Sequence, residues 1–369
     1  RPAHLFLWLK QGERDTLKRS FDLVIQRQCE NNRWSWNPKS PDRHRRALTE
    51  IAKSFAQFAA KLERRYIFAW LDWDGDNVLT DAGIIDYGSI RQFGLRHDQY
   101  RYDDVERFST CLNEQRGKAR FTVQVFAQLV EFLETGKKLN LSQFANSEAL
   151  RIYDREFDIE LRREFLMQVG LDADSATHAL TNRKREVENL YQGFLKLETI
   201  KTRAGTKKLP DGVNRPAVFN MRRLLRELPD LTMDDSRSWK TPTAAQALDL
   251  MESSFAKRAD LRLRGSLRTK IETFLKTYVA FLSATYGERP HTATQRAWKQ
   301  RARSQNFEGR ITGNGSEYIV EEILRARKRG MPLDDLRQAL ELYIASQCPQ
   351  NPVGAKPMAV SNAAGELFN

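Results

Sequence analysis

Apolar residues recur at helical spacing through most of the chain. From Asp15 to Cys29 they fall at Leu17, Phe21, Val24 and Ile25. From Ala47 to Leu62 they fall at Ala47, Ile51, Phe55, Phe58, Ala59 and Leu62, with Glu50, Lys53, Lys61 and Glu63 off the stripe, so two amphipathic helices are expected. Between them Asn31 to His44, with Pro38 and Pro41, breaks the period and reads as an ordered loop whose Trp34 and Trp36 pack on a neighbour. The same period predicts helices over 121–135, 141–169, 173–200, 216–228, 242–260, 266–286, 316–329 and 333–347, with breakers at Gly205 to Pro216 and Pro229 to Pro242. Tyr153, Phe157 and Phe165, with Met167, belong to a core.

Residues 70–89 differ in kind. Two short apolar runs, Val78-Leu79-Thr80 and Ile84-Ile85, flank Asp81-Ala82-Gly83 and predict a small β-hairpin over 77–86. Acidic groups stand at its entrance and exit: Asp72, Asp74 and Asp76 before it, Asp86 after it. The expected fold class is therefore mainly α with a short β-hairpin at the acidic site.

The spacing of these groups suits phosphoryl transfer. In kinase-like sites a loop Asp engages the acceptor hydroxyl, an Asn five residues later holds one metal, and the Asp of an Asp-aromatic-Gly triplet holds metal against the phosphates. Here Trp70-Leu71-Asp72 stands where His-Arg-Asp would, Asn77 follows Asp72 by five positions, and Asp86-Tyr87-Gly88 stands where Asp-Phe-Gly would. Oxygen donors on a rigid turn are what a hard cation such as Mg²⁺ takes.

The segment Leu48 to Gly88 resembles the active-site region of the selenoprotein O family, protein adenylyltransferases of pseudokinase fold. That family ends a long helix in His-Gly-Val-(Leu/Met)-Asn-Thr-Asp-Asn and places the Asp of Asp-Tyr-Gly nine residues after the last Asn; Asn77 to Asp86 reproduces the step. Asn113-Glu114-Gln115-Arg116-Gly117-Lys118-Ala119-Arg120-Phe121 resembles, more faintly, its Gly-Arg-Tyr-Ala-Phe stretch, and the likeness covers roughly residues 44–135. The resemblance implies a protein-kinase-like C-lobe that transfers AMP from ATP to protein hydroxyls with Mg²⁺ or Mn²⁺, Asn77 and Asp86 being metal ligands and Asp76 the proton acceptor. Departures are present: Trp70 replaces the family's His, Trp73-Asp74-Gly75 its Leu-Asn-Thr, and Ser89 its Pro. Asp72 adds a carboxylate, so the base is Asp76 by family and Asp72 by kinase spacing. The residues that hold the nucleotide are not identified. The family's glycine-rich loop and nucleotide-binding Lys are expected upstream of Arg1, so the chain reads as a C-lobe, nearly inactive alone and open to a partner chain supplying the other lobe. Apolar surface is then expected around Phe6 and Trp8.

Calcium is the rival reading. Asp72-Trp73-Asp74-Gly75-Asp76 followed by Leu79 matches the first half of an EF-hand loop, but Asn77 takes the position that wants Gly, and Gly83 takes the twelfth, where Glu should close the site. A kinase-like phosphotransferase and a non-catalytic helical binding protein are also compatible with the pattern. The five histidines, His44 among them, lack ligand spacing, and each is expected at the surface or half-buried. Arg91, Arg96, Arg101 and Arg107 read as a solvated face.

Composition bounds these readings without choosing among them. In 369 residues, 40% apolar and 30% charged usage is that of a folded chain. The net charge of +13 arises from 61 basic residues interspersed with 48 acidic ones, so a nucleic-acid partner is not expected. No apolar run approaches the roughly 18 residues that cross a bilayer. Three cysteines without paired spacing favour a reducing compartment, and the cytoplasm is expected. The domain reading is a lobe over 1–204, a helical extension over 205–348 and a flexible tail over 349–369, with ATP and a protein substrate as partners and no membrane.

Overall fold

A computed structural model of the chain describes residues 1–69, 75–85, 90–92, 95–96, 112–201, 217–233, 238–253, 256–307, 320 and 323–347. The fold is mainly α. In chain order the elements are α1 (Pro2–Gln11), α2 (Arg14–Glu30), α3 (Arg43–Arg64), β1 (Ile67–Ala69), β2 (Ile90–Gln92), α4 (Leu112–Thr135), a 3-10 turn (Leu141–Phe144), α5 (Glu148–Val169), α6 (Ala173–Asn182), α7 (Lys184–Glu198), α8 (Met221–Leu231), α9 (Ala244–Met251), α10 (Gly265–Tyr286), α11 (Thr292–Gln305), α12 (323–328) and α13 (Leu333–Gln347). The two strands form a two-stranded sheet. No helix among the described residues is long and apolar enough to cross a membrane.

The chain divides into two compact units, Arg1–Ile90 with Ser109–Leu161, and Arg91–Phe108 with Arg162–Asn369. The boundary expected at 205 and the tail 349–369 lie outside the described residues.

In the first unit α3 packs along α4. Small residues make this possible: Ala47, Ala52, Ala56, Ala59 and Ala60 on α3 and Ala119 and Ala127 on α4 are buried, so the helices approach closely around Ile51, Phe55, Val123 and Val130. Phe126 is the hub. Its ring meets Phe6 of α1 edge-on at 5.0 Å, Phe21 of α2 at 6.3 Å and Phe55 of α3 at 6.4 Å, and burying such a ring contributes about 2–3 kcal/mol. Arg14 closes the far end of α4 by donating from Nη2 to the Leu133 carbonyl at 2.7 Å, which satisfies one of the carbonyls that a helix C-terminus leaves unpaired. Phe6 and Trp8, expected on an exposed patch, are half-buried against this core.

The second unit centres on Phe165, Phe194, Phe274 and Tyr278, all buried, with Phe165 and Phe194 at 4.9 Å and Phe194 and Phe274 at 6.2 Å between ring centroids. A close approach occurs at Gly170, where a Cβ would meet Trp298 Cδ1 at 2.4 Å. At φ +108, where side chains are rarely found, this glycine turns the chain under the Trp298 ring, and Trp298 Nε1 donates to the Val169 carbonyl at 2.9 Å.

Several element boundaries differ from expectation. The helix expected over 173–200 breaks at Arg183, where Asn182 ends α6 and α7 begins, and the one expected over 141–169 is a 3-10 turn capped by Asn140 followed by α5. The helix expected over 242–260 ends at Met251. Helix α4 begins at Leu112, nine residues before the expected 121, and α1 and α11 are additions to the expected set.

Candidate functional site

Helix α3 delivers the chain to the acidic segment through a buried turn. Arg64 is buried and its Nη2 donates to the Tyr66 hydroxyl at 3.1 Å, while Tyr66, at φ 55, redirects the backbone into β1. On α4, Gln115 Nε2 donates to the Ile67 carbonyl at 3.1 Å and ties the strand to the helix. The strand therefore starts from a fixed point.

The turn over residues 75–85 is held by its own backbone. Leu79 N–H donates to the Gly83 carbonyl at 2.8 Å, Ala82 N–H to Leu79 at 3.0 Å, and Ile85 N–H to Asn77 at 3.0 Å, with Val78 and Ile84 forming an isolated antiparallel bridge. Asp81 Oδ1 accepts from Gly83 N–H at 3.1 Å, and Ala82 sits at φ 62, a position where a short polar or glycine residue is commoner. Among the described residues the pairing expected over 77–86 amounts to this single bridge. Val78, Thr80 and Ala82 are buried, Asn77 is half-buried and Asp76 is exposed. Val78, Thr80 and Ala82 pin one side of the segment to the unit, whereas Asp76, in the turn that precedes Val78, is off that side and exposed.

Asp76 and Asn77 are adjacent at the entrance of this turn, whereas Asp72, Asp86, Trp70, Trp73 and Asp74 lie outside the described residues. Both described groups offer oxygen donors, the chemistry that Mg²⁺, Mn²⁺ and Ca²⁺ share. Among the described residues no group of three or more His, Cys, Asp or Glu side chains is placed to hold a metal ion. The donor chemistry of Asp76 and Asn77 fits a hard cation.

A second polar cluster joins α2 to α3. Asp22 accepts from Arg43 Nε at 2.6 Å and Nη2 at 3.0 Å, and meets His44 Nε2 at 2.8 Å. Burial raises the Asp22 carboxyl, but the hydrogen bonds from Arg43 and His44 outweigh it and bring its pKa down to about 2. His44 is buried rather than at the surface or half-buried as expected; burial holds its pKa below the ordinary value against the opposing pull of Asp22, so the neutral ring donates from Nε2. No local spacing announces this cluster, because its members are 21 and 22 residues apart.

Beside it lies a cavity of about 720 Å³ lined by Asp22, Gln26, Cys29, Glu30, Lys39 and Arg43. Its two carboxylates have partners: Asp22 accepts from Arg43, and Glu30 accepts from Gln26 at 2.8 Å and from Arg27, outside the lining, at 3.0 Å. The Cys29 thiol donates to the Trp36 carbonyl at 3.3 Å, and burial pushes its pKa up, away from the reactive thiolate. Trp34 and Trp36 stack on each other with ring centroids 5.4 Å apart. The cluster is a structural link between helices.

Arg96, expected on a solvated face, instead places Nη1 3.3 Å from Glu198 Oε2, its side chain 11% exposed. Arg101 and Arg107 lie outside the described residues. Comparison with protein-family models, with curated proteins and with solved structures finds no match. The functional reading rests on the residues of this chain.

Proposed function

We propose that the chain forms the kinase-like C-lobe of a protein adenylyltransferase of selenoprotein O type, using Mg²⁺ or Mn²⁺ with ATP to place AMP on protein hydroxyls. One observation carries the reading. Ile85 N–H donates to the Asn77 carbonyl, so the chain entering the turn at Asp76-Asn77 and the chain leaving it at Ile85 run side by side, and Asp86 is the next residue in sequence. A nine-residue step between two ligands suits such a turn.

In the proposed reaction the acceptor hydroxyl oxygen bonds to the α-phosphorus of ATP, the bond from that phosphorus to the bridging oxygen breaks, and pyrophosphate leaves. The hydroxyl proton passes to a carboxylate, Asp76 or Asp72. A divalent cation, when bound, neutralises phosphate charge. Asn77 and Asp86 hold it in this reading, and Asp76 is exposed, as a group that meets a protein substrate must be. A helical extension after the lobe completes the architecture proposed.

Metal preference tests the reading. Mn²⁺ titrated into the full-length protein and followed by electron paramagnetic resonance should bind more tightly with ATP present, and Mg²⁺ should compete. Preferential Ca²⁺ binding without nucleotide would favour the EF-hand-like reading instead.

A further inference from the structure

Gly75, the residue before Asp76, stands where the resembled family carries Thr, and its surroundings explain why this chain cannot. Its φ is +100, a conformation that side chains rarely adopt, and a Cβ there would meet Ala3 N at 2.7 Å and Pro2 Cβ at 2.8 Å. Both neighbours belong to the first turn of α1, and a backbone nitrogen cannot swing aside as the end of a flexible side chain can. The contact is also a bond: Ala3 N–H donates to the Gly75 carbonyl at 3.2 Å. A first-turn N–H has no partner within its own helix, so the loop carbonyl satisfies a donor that would otherwise need water.

Helix α1 is itself held firmly. Leu5 and Leu9 are buried, Phe6 packs edge-on against Phe126 of α4, and Lys138 Nζ donates to the Lys10 carbonyl at 2.9 Å. The acidic turn is therefore gripped from two sides, by its own backbone bonds beyond Asn77 and by α1 one residue before Asp76.

We propose that the first turn of α1 is a clasp that positions Asp76 and Asn77, with Gly75 and Pro2 as its positioning residues. The clasp rests on the adenylyltransferase reading for what these two groups do, and on the contacts above for how they are held. Gly75→Ala and Gly75→Thr put a side chain into the contact; Pro2→Gly leaves the turn's own residues unchanged and loosens the helix side of it.

Hydrogen–deuterium exchange over 76–85 and Mn²⁺ affinity in the presence of ATP are measured on the full-length protein and each variant. In the Gly75 variants the Leu79 and Ile85 amides should exchange roughly tenfold faster, the scale of a non-glycine residue forced to positive φ. Mn²⁺ affinity should fall alongside, while amides of α4 keep their protection. Pro2→Gly should act in the same direction, severalfold, and carries the test if a Gly75 variant does not fold. Unchanged exchange and affinity in Gly75→Thr, or in Pro2→Gly, would overturn the clasp. Faster exchange in a protein whose unaltered form binds no Mn²⁺ would overturn the adenylyltransferase reading, and the positioning role with it, and leave only a structural contact.

Discussion

Asp22→Asn removes the charge on which Arg43 and His44 converge, at the junction that orients α3 and hence the chain entering the acidic turn. The ordinary carboxyl value of 3.8 falls to about 2 in the folded chain, which corresponds to about 2.5 kcal/mol of differential interaction. The Asp22 side chain is 30% exposed, so solvent screening reduces this to about 1–2 kcal/mol. The sign follows from linkage: a carboxyl whose folded pKa is depressed stabilises above its unfolded value, and the contribution is lost as pH falls through about 2. Buried His44 adds a second dependence. Its folded pKa is also depressed, so its contribution is complete above the unfolded value of about 6.5 and declines as pH falls below it. Chemical denaturation of the two proteins should show Asp22→Asn less stable by about 1–2 kcal/mol near neutral pH, with the gap closing as pH falls toward the folded pKa. Equal stability near neutrality, or a gap that persists undiminished in acid, would refute the reasoning.

Gly170→Ala would bring a Cβ to 2.4 Å from Trp298 Cδ1 at φ +108, and should cost roughly 2–5 kcal/mol by combining overpacking with backbone strain; an unchanged melting temperature would contradict the contact. Asn77→Ala keeps the carbonyl that accepts from Ile85 N–H, so stability should hold within about 0.5 kcal/mol. Its Mn²⁺ affinity with ATP should nevertheless fall by at least about tenfold, and tight binding by the variant would remove Asn77 from the ligand set.

Much of the helical architecture is legible because its apolar residues keep the helical period: α2, α3, α10 and α13 lie where the stripes place them. The break between α6 and α7 is not, since Asn182-Arg183-Lys184 carries neither Gly nor Pro to mark it. Helix α1 is hidden because ten residues with buried Pro2, Leu5 and Leu9 give too short a stripe to stand out. At the acidic segment the local pattern locates Asp76, Asn77 and the turn at Asp81-Ala82-Gly83. It does not explain Gly75, because the reason lies in Pro2 and Ala3, more than 70 residues away. The burial of His44 is illegible for the same cause: its partner Asp22 sits on another helix. Long-range contacts of this kind leave no local pattern.

The central claim is the bond that ATP loses, and labelled nucleotide tests it most directly. The full-length protein is incubated with a protein acceptor, Mg²⁺ or Mn²⁺, and ATP labelled at either the α- or the γ-phosphate, beside its Asp86→Ala, Asp76→Ala and Asp72→Ala variants. The account predicts α-label on the acceptor, its loss in Asp86→Ala, and its loss in whichever of Asp76→Ala and Asp72→Ala removes the base. Transfer of γ-label, or of neither label by the full-length protein, would contradict it.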